Sequence, residues 1–418
     1  MKVPQSNDHY ALLALFLSPW KDVGVIHALT DAIKQGELNW KNLLYLANLH
    51  FCTPLWFVRL RKDGLISLLP QDLQTYLQHL HQANVERNEA FCEAIKEIHP
   101  KLREHRIPAI LLKGAASFCD DLYGDVGARM MGDIDILVRP QHAKLVQNLL
   151  SQLGYGEPSH RLAGHHLPRQ TKPGTPVAVE VHFQVADGQA GRIIPANLSW
   201  EHSETRTWEG LTVSVLNPTY RLIHNTVHAL VPRRAFIESR ISLLHLAEFN
   251  NLSCRYGQEI DWREWIRGAT NQGLRKQFCA YLALAQGLMG MRIVDGMPKI
   301  RLGKIHAARI SVAGNAAANF ESVNEKRAKP DALKAKEIAG KIWIKIYKRL
   351  KTPAWLWHNK FYRKGRRNSL EWFLFSSRVL IRQLIEDCRS ILRNLSILPA
   401  LEKQSTNGKS VSLSETRK

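Results

Sequence analysis

The sequence predicts an α+β protein in which a small set of strands lies between helical regions, and three observations predict it. Apolar residues recur at helical spacing in WKNLLYLANLHFCTPLWFVRL and AFCEAIKEIHPKLREH, as they do in helices that bury one face. From Ile107 the pattern shortens to alternation in IPAILLKG, DIDILV and VAVEVHFQV, runs of strand length bounded by Gly and Pro. After Pro218 the helical spacing returns in TYRLIHNTVHAL and LRKQFCAYLALAQGLM, with proline where a helix begins.

These changes divide the chain. Residues 1–105 read as an N-terminal helical region, 106–216 as the core and 217–295 as a helical region packed on that core. Residues 296–400 read as a basic amphipathic helical tail and 401–418 as a disordered polar end. In the first region ALLALFLSPW resembles a secretory apolar segment, but it follows an acidic residue and lacks a small-residue cleavage site, so it reads as a buried helix. In the core, AKLVQNLLSQLGY is an amphipathic helix closed by Gly154, KPGTP is a turn before VAVEVHFQV, and EGLTVSVLNP adds a hairpin strand.

Composition excludes several classes. Of 418 residues, 45% are hydrophobic and 8% aromatic, which is ordinary for a globular protein and not for a disordered or fibrous one. The six cysteines are scattered with no CxxC pair, so neither a zinc site nor a disulfide framework is indicated, and a reducing cytoplasm fits best. No apolar run approaches the roughly 20 residues that a membrane-spanning helix needs. The net charge is +21, and residues 296–418 carry 27 Lys and Arg against 9 Asp and Glu, so the basicity belongs to the tail. That tail reads as a solvated helical face, as a nucleic-acid contact, or as a peripheral contact with anionic lipid. The Trp and Phe interleaved with Lys and Arg in KIWIKIYKRL and PAWLWHNKFYRKGRRNSLEWFLF favour the last.

The chemistry is expected at ARMMGDIDILVRP. Ile134, Ile136 and Val138 form one strand face while Asp133 and Asp135 occupy the other, about 7 Å apart along the strand. Like charges so placed raise each other's pKa unless a cation neutralises them, and Mg²⁺ binds through one or two carboxylates together with substrate phosphates. Glu180 is the candidate third acid, because in VAVEVHFQV it shares a face with His182 and Gln184, opposite Val179, Val181 and Phe183. Upstream, Gly114 in LLKGAAS ends a strand where backbone N–H groups can approach phosphate, and Arg129 can meet a phosphate oxygen. His182 is a candidate hydrogen-bonding partner or proton carrier beside Glu180. His224 and His228 are an i, i+4 pair that reads as a seam between helices and core, with His228 also a candidate on the acceptor side, while His160, His165 and His166 read as solvated loop residues.

The order LLKGAAS, LYGDVGARMMGDIDILV, LGY, VEVHF resembles the uncharacterised nucleotidyltransferase family within the DNA polymerase β-like nucleotidyltransferase superfamily, over about residues 10 to 290. The resemblance implies a polymerase β-like core, a small mixed sheet with flanking helices, and an NTP substrate with Mg²⁺, or Mn²⁺ in its place. It implies Asp133, Asp135 and Glu180 as metal ligands and catalytic carboxylates, with Gly114 approaching phosphate. Here Gly114 is followed by Ala115 and Ala116, with Ser117 a turn later, where superfamily members carry Gly-Ser or Gly-Gly; Lys113 is the candidate to take the hydroxyl's place, holding the β and γ phosphates with Arg129. Near residue 245, where the family tends to have aspartate, this chain has HLAEF, and no role passes to His245. The acceptor is not legible: a sugar, carrier-linked, protein or RNA hydroxyl all fit, and relatives often accompany envelope or exopolysaccharide biosynthesis. The rival readings are a non-catalytic accessory protein that binds nucleotide or polyanion, and a nucleotide-adding toxin acting on RNA or protein.

Overall fold

Four helices open the chain: α1 (His9–Leu17), α2 (Val23–Lys34), α3 (Trp40–Leu49) and α4 (Thr53–Lys62), followed by the long α5 (Gln71–Glu104). The computed structural model describes residues 3–156, 164–231, 235–237, 239–300 and 303–318. The sequence readings for the rest of the basic tail, for the polar end and for His160 lie outside the described residues. Every residue of α1 is buried, and the Asp8 carboxylate accepts from the Ala11 N–H to cap it. The apolar run at the start of the chain is therefore core. No helix among the described residues is long and apolar enough to cross a membrane.

The strands follow as β1 (Ala109–Leu111), β2 (Ile134–Val138), β3 (Gln170–Thr171), β4 (Ala178–His182), β5 (Ser203–Trp208) and β6 (Leu211–Leu216). Between them lie α6 (Lys113–Phe118), α7 (Ala143–Gln152), α8 (Gly188–Ile193) and α9 (Ala196–Glu201). The sheet order is β3-β4-β2-β1-β6-β5. β2 runs parallel to β4 and antiparallel to β1, and β1 runs parallel to β6. The result is a small mixed sheet flanked by helices, the α+β class that the sequence predicts.

The two sheet faces have different fates. Ile134, Ile136, Val138, Val179, Val181, Val213 and Val215 pack against Phe91, Ile95, Ile98 and Leu102 of α5 and Val146 and Leu150 of α7, each fully buried aliphatic contributing about 1.5–3 kcal/mol. Leu137 points the other way, into a core shared with α1, α3, α4 and the helices after the sheet: α10 (Pro218–Leu230), α11 (Leu243–Tyr256), α12 (Trp262–Asn271) and α13 (Arg275–Met289). A last described helix, α14 (Gly303–Ala318), adds Ala307 and Ile310 to that core. α10 begins as its sequence dictates, with Pro218 in the first turn and the Asn217 side chain accepting from the Tyr220 N–H.

The loop from α6 to β2 is not free. On α5, Asn84 donates to the carbonyls of Gly127 and Arg129 at 2.7 and 3.1 Å, and Asn88 donates to those of Val126 and Arg129 at 2.6 and 2.8 Å. Asp125 binds Arg61 at 2.6 Å and His81 at 2.8 Å. A Cβ on Gly127 would come within 2.5 Å of Val85, so glycine is what lets the loop lie against α5. These contacts satisfy backbone carbonyls that burial would otherwise leave unpaired, and they fix the approach of the chain to Asp133.

Candidate active site

The sheet face opposite the α5 and α7 core carries the polar residues. Strand alternation turns Asp135 away from the Ile134 and Ile136 core, and the parallel register sets it opposite Glu180, with Leu137 opposite His182. Asp135 is 2% exposed and His182 1%, and the His182 Nε2 lies 2.7 Å from Asp135 Oδ1 and 3.6 Å from Glu180 Oε2. One donor atom from each of Asp135, Glu180 and His182 lies within 4.8 Å of the others, a group able to hold a metal ion. Asp133, just before β2, stands outside that group: its carboxylate is part-exposed, with Arg169 Nε at 3.7 Å.

Lys113 supplies the nearest permanent positive charge, its Nζ 2.7 Å from Asp135 Oδ1. It begins α6, directly after β1, with φ +48°, a left-handed conformation that costs a non-glycine residue on the order of 1 kcal/mol or more. The Leu112 N–H donates to the Asp135 carbonyl at 3.0 Å, so backbone pairing and the ion pair hold the junction together.

The electrostatics follow from this geometry. Burial alone would push the Asp135 carboxyl up, but Lys113 and the His182 hydrogen bond hold it well below the usual carboxylate range. Burial pushes Asp133 up to about 6, helped by the charges of Asp135 and Glu180. Glu180 is lowered, first by its contact with His182. The imidazole of His182 is raised, because its hydrogen bond to Asp135 and its contact with Glu180 outweigh its burial. Lys113 is raised because Asp135 outweighs its own burial.

Arg129 faces another acid. Its Nε donates to Glu248 Oε2 of α11 at 2.9 Å, and both side chains are buried. The space beside Gly114 is filled by the loop residues Arg129 and Met131, since a Cβ there would meet Arg129 Nη1 at 2.6 Å and the Met131 sulfur at 2.8 Å. The Ser117 hydroxyl turns back to the Lys113 carbonyl at 3.4 Å. Gly114 and Ser117 line a groove of about 830 Å³ on the flank of α6, with Arg129, Phe118 and Trp208. A smaller cavity of about 20 Å³ lies on the Lys113 side, lined among others by Arg129, His224, His228, His245 and Glu248. Burial, with Lys113 next in weight, lowers His224 to about 3, and burial, with His245 next in weight, holds His228 well below its usual value. His245 is lowered to about 4, chiefly by burial. All three rings are therefore neutral at pH 7.

Five residues escaped the sequence reading. Glu248, the partner of Arg129, is separated from it by 119 residues, and Asn84 and Asn88 lie within the N-terminal helical region. His165 and His166, read as solvated loop residues, instead place their rings 5.5 and 5.1 Å from that of His182. The cause is backbone pairing beside β4: Leu167 N–H donates to Val181 O at 2.8 Å and Phe183 N–H to His165 O at 2.9 Å. A hairpin after KPGTP was legible, and its partner segment, HHLP, was the place to look for added histidines.

A mixed sheet with flanking helices, displaying carboxylates from adjacent parallel strands beside a lysine at a strand–helix junction, has the architecture of a nucleotidyltransferase core. The family described as uncharacterised nucleotidyltransferase matches residues 36–290, and the chain belongs to it. Nucleotidyl transfer is the general activity of that family, and an NTP the substrate class it implies. No curated protein matches the chain.

Proposed function

We propose that the chain moves a nucleoside monophosphate from an NTP to a hydroxyl of an acceptor, with divalent ions held by Asp133, Asp135 and Glu180. The observation that carries this reading is the register of β2 and β4, which sets Asp135 beside Glu180, with Asp133 near enough for both charges to raise its pKa. The residues fit such ions: they are oxygen donors, partly or fully buried, on or beside two adjacent strands. Divalent ions held by these carboxylates would supply the positive charge that lowers the pKa of an attacking hydroxyl and neutralises a departing pyrophosphate.

The chain's own residues position the reactants. In the metal-free site His182 orients Asp135 through the 2.7 Å hydrogen bond. Lys113 neutralises Asp135 in the resting site and is placed to reach a phosphate oxygen once that carboxylate is otherwise engaged. Arg129, held by Glu248, contributes a fixed positive charge to the wall of the same cavity. His228, half-buried at that cavity, faces the acceptor side.

The test is to incubate the protein with each labelled NTP, Mg²⁺ or Mn²⁺ and a cell extract, and to ask which fraction takes up label. Label in one discrete fraction, dependent on the divalent ion, is the expected result. No transfer from any NTP would replace this reading with that of a non-catalytic nucleotide-binding accessory protein.

A further inference from the structure

We infer that His182 is itself a ligand of the ion seated at Asp135 and Glu180, and that this nitrogen donor makes the seat select a transition-series divalent ion over Mg²⁺. The inference rests on the reading above only in taking the strand-face cluster as a metal seat. It concerns which ion binds, and by what atoms, and not the reaction.

Geometry favours ligation by the ring. Around an ion with bonds of about 2.0–2.2 Å, neighbouring donors stand roughly 3–3.5 Å apart, and the His182 Nε2 is already 3.6 Å from Glu180 Oε2 and 2.7 Å from Asp135 Oδ1. Only a few tenths of an ångström must open between the ring and Asp135, because the β2–β4 register already places the buried ring beside both carboxylates. Its second nitrogen, Nδ1, is buried with no hydrogen-bond partner among the described residues. The ring is therefore uncommitted on that side, and Nδ1 can carry the proton when Nε2 turns its lone pair to an ion.

Chemistry then discriminates between ions. Mg²⁺ is a hard cation that keeps its waters and takes oxygen ligands, usually one or two carboxylates with substrate phosphates. Imidazole suits the transition ions, whose affinity for nitrogen donors rises along the series. Two carboxylates and one imidazole, with donor atoms within 4.8 Å of one another, form a seat that needs no nucleotide to complete it. The surroundings agree with this, since the rings of His165 and His166 crowd His182. Lys113 shares Asp135 Oδ1 in the resting site, and an ion that takes up this carboxylate frees the ammonium.

The experiment uses Mn²⁺ as a paramagnetic probe on the nucleotide-free, full-length protein. Pulsed EPR is expected to show the ¹⁴N coupling of a directly bound imidazole, and His182→Gln to abolish it while weakening Mn²⁺ binding at least tenfold. In competition, Mg²⁺ should displace Mn²⁺ only at an excess of about a hundredfold or more. Bound Mn²⁺ without ¹⁴N coupling in the native protein would overturn the inference, leaving His182 as a hydrogen-bond donor to Asp135. Coupling that survives in His182→Gln, displacement at equal Mg²⁺, or no binding without nucleotide would do the same. The native spectrum decides even where the variant folds poorly. Absence of nucleotidyl transfer alongside a clear nitrogen coupling would remove the proposed activity and leave this assignment standing.

Discussion

Two groups of buried charge flank Lys113, and they are built on opposite principles. Arg129 and Glu248 form a one-to-one pair, in which burial would raise the acid but the guanidinium holds it low. The strand face carries Asp133, Asp135 and Glu180 against Lys113 and His182, with Arg169 at the rim. Burial is comparable for Glu248 and Asp135, so depth does not separate the two. What differs is the arrangement: the pair is closed, while on the strand face three carboxylates crowd together, and Asp133, raised first by burial and then by Asp135 and Glu180, stands at about 6. A fold gains nothing by crowding like charges unless something positive joins them, so the pair reads as support and the crowd as the working site.

The comparison breaks most sharply at Glu180. Glu180→Gln is expected to lower nucleotidyl transfer at least a thousandfold, about 4 kcal/mol of barrier, while the melting temperature falls only slightly, since the lowered pKa of Glu180 marks a small stabilising contribution from its charge. Turnover within tenfold of native in a labelled-NTP assay would remove the strand face from the chemistry. Next in size is Glu248→Ala, which leaves Arg129 buried without its partner and should cost about 3–5 kcal/mol of stability, read by denaturant unfolding. A loss below about 1 kcal/mol would mean the pair is not the closed structure described above.

Asp133→Asn should act in the opposite direction. The folded pKa of Asp133, about 6, lies above the unfolded value of about 4. Between those values the unfolded chain gives up its proton before the folded one, so stability falls as pH rises through roughly 4 to 6 and stays lowered above it. Removing the carboxyl should therefore stabilise the metal-free protein at pH 7 by about 1–2 kcal/mol after solvent screening, with no gain at pH 4 or below. Saturating divalent ion should erase the difference. Equal stability of native and variant at pH 7 without metal would show that the crowded charge is already met.

How much of this was legible follows from the range of each signal. The alternation of DIDILV and VAVEVHFQV is local, and it was enough to put Asp135 and Glu180 on polar faces; β2 and β4 follow those runs. Whether the two faces were the same face depended on strand order and register, which no local pattern carries. Arg129 read as a phosphate ligand because Glu248, 119 residues on, was invisible as its partner. Gly114 read as room for phosphate, whereas the structure fills that room with Arg129 and Met131. His165 and His166 looked solvated because a two-residue strand, Gln170–Thr171, and the bridges around it give almost no periodic signal.

The smallest expected effect tests the rim. Arg169 Nε is 3.7 Å from Asp133 Oδ2, its guanidinium also donates to the Gly132 carbonyl, and its side chain is 45% exposed. An exposed pair of this kind contributes about 0–1 kcal/mol and is screened by salt. Arg169→Gln should therefore change stability by less than about 1 kcal/mol, and the difference from native should vanish near 1 M salt, where the screening length falls to about 3 Å. It should also move the Asp133 titration upward, since Arg169 is one of the charges that lower it. Should this variant instead lose as much as Glu248→Ala, Arg169 would be the missing half of a second closed pair. The strand face would then be balanced without any ion, and the physical case for a metal there would fall with it.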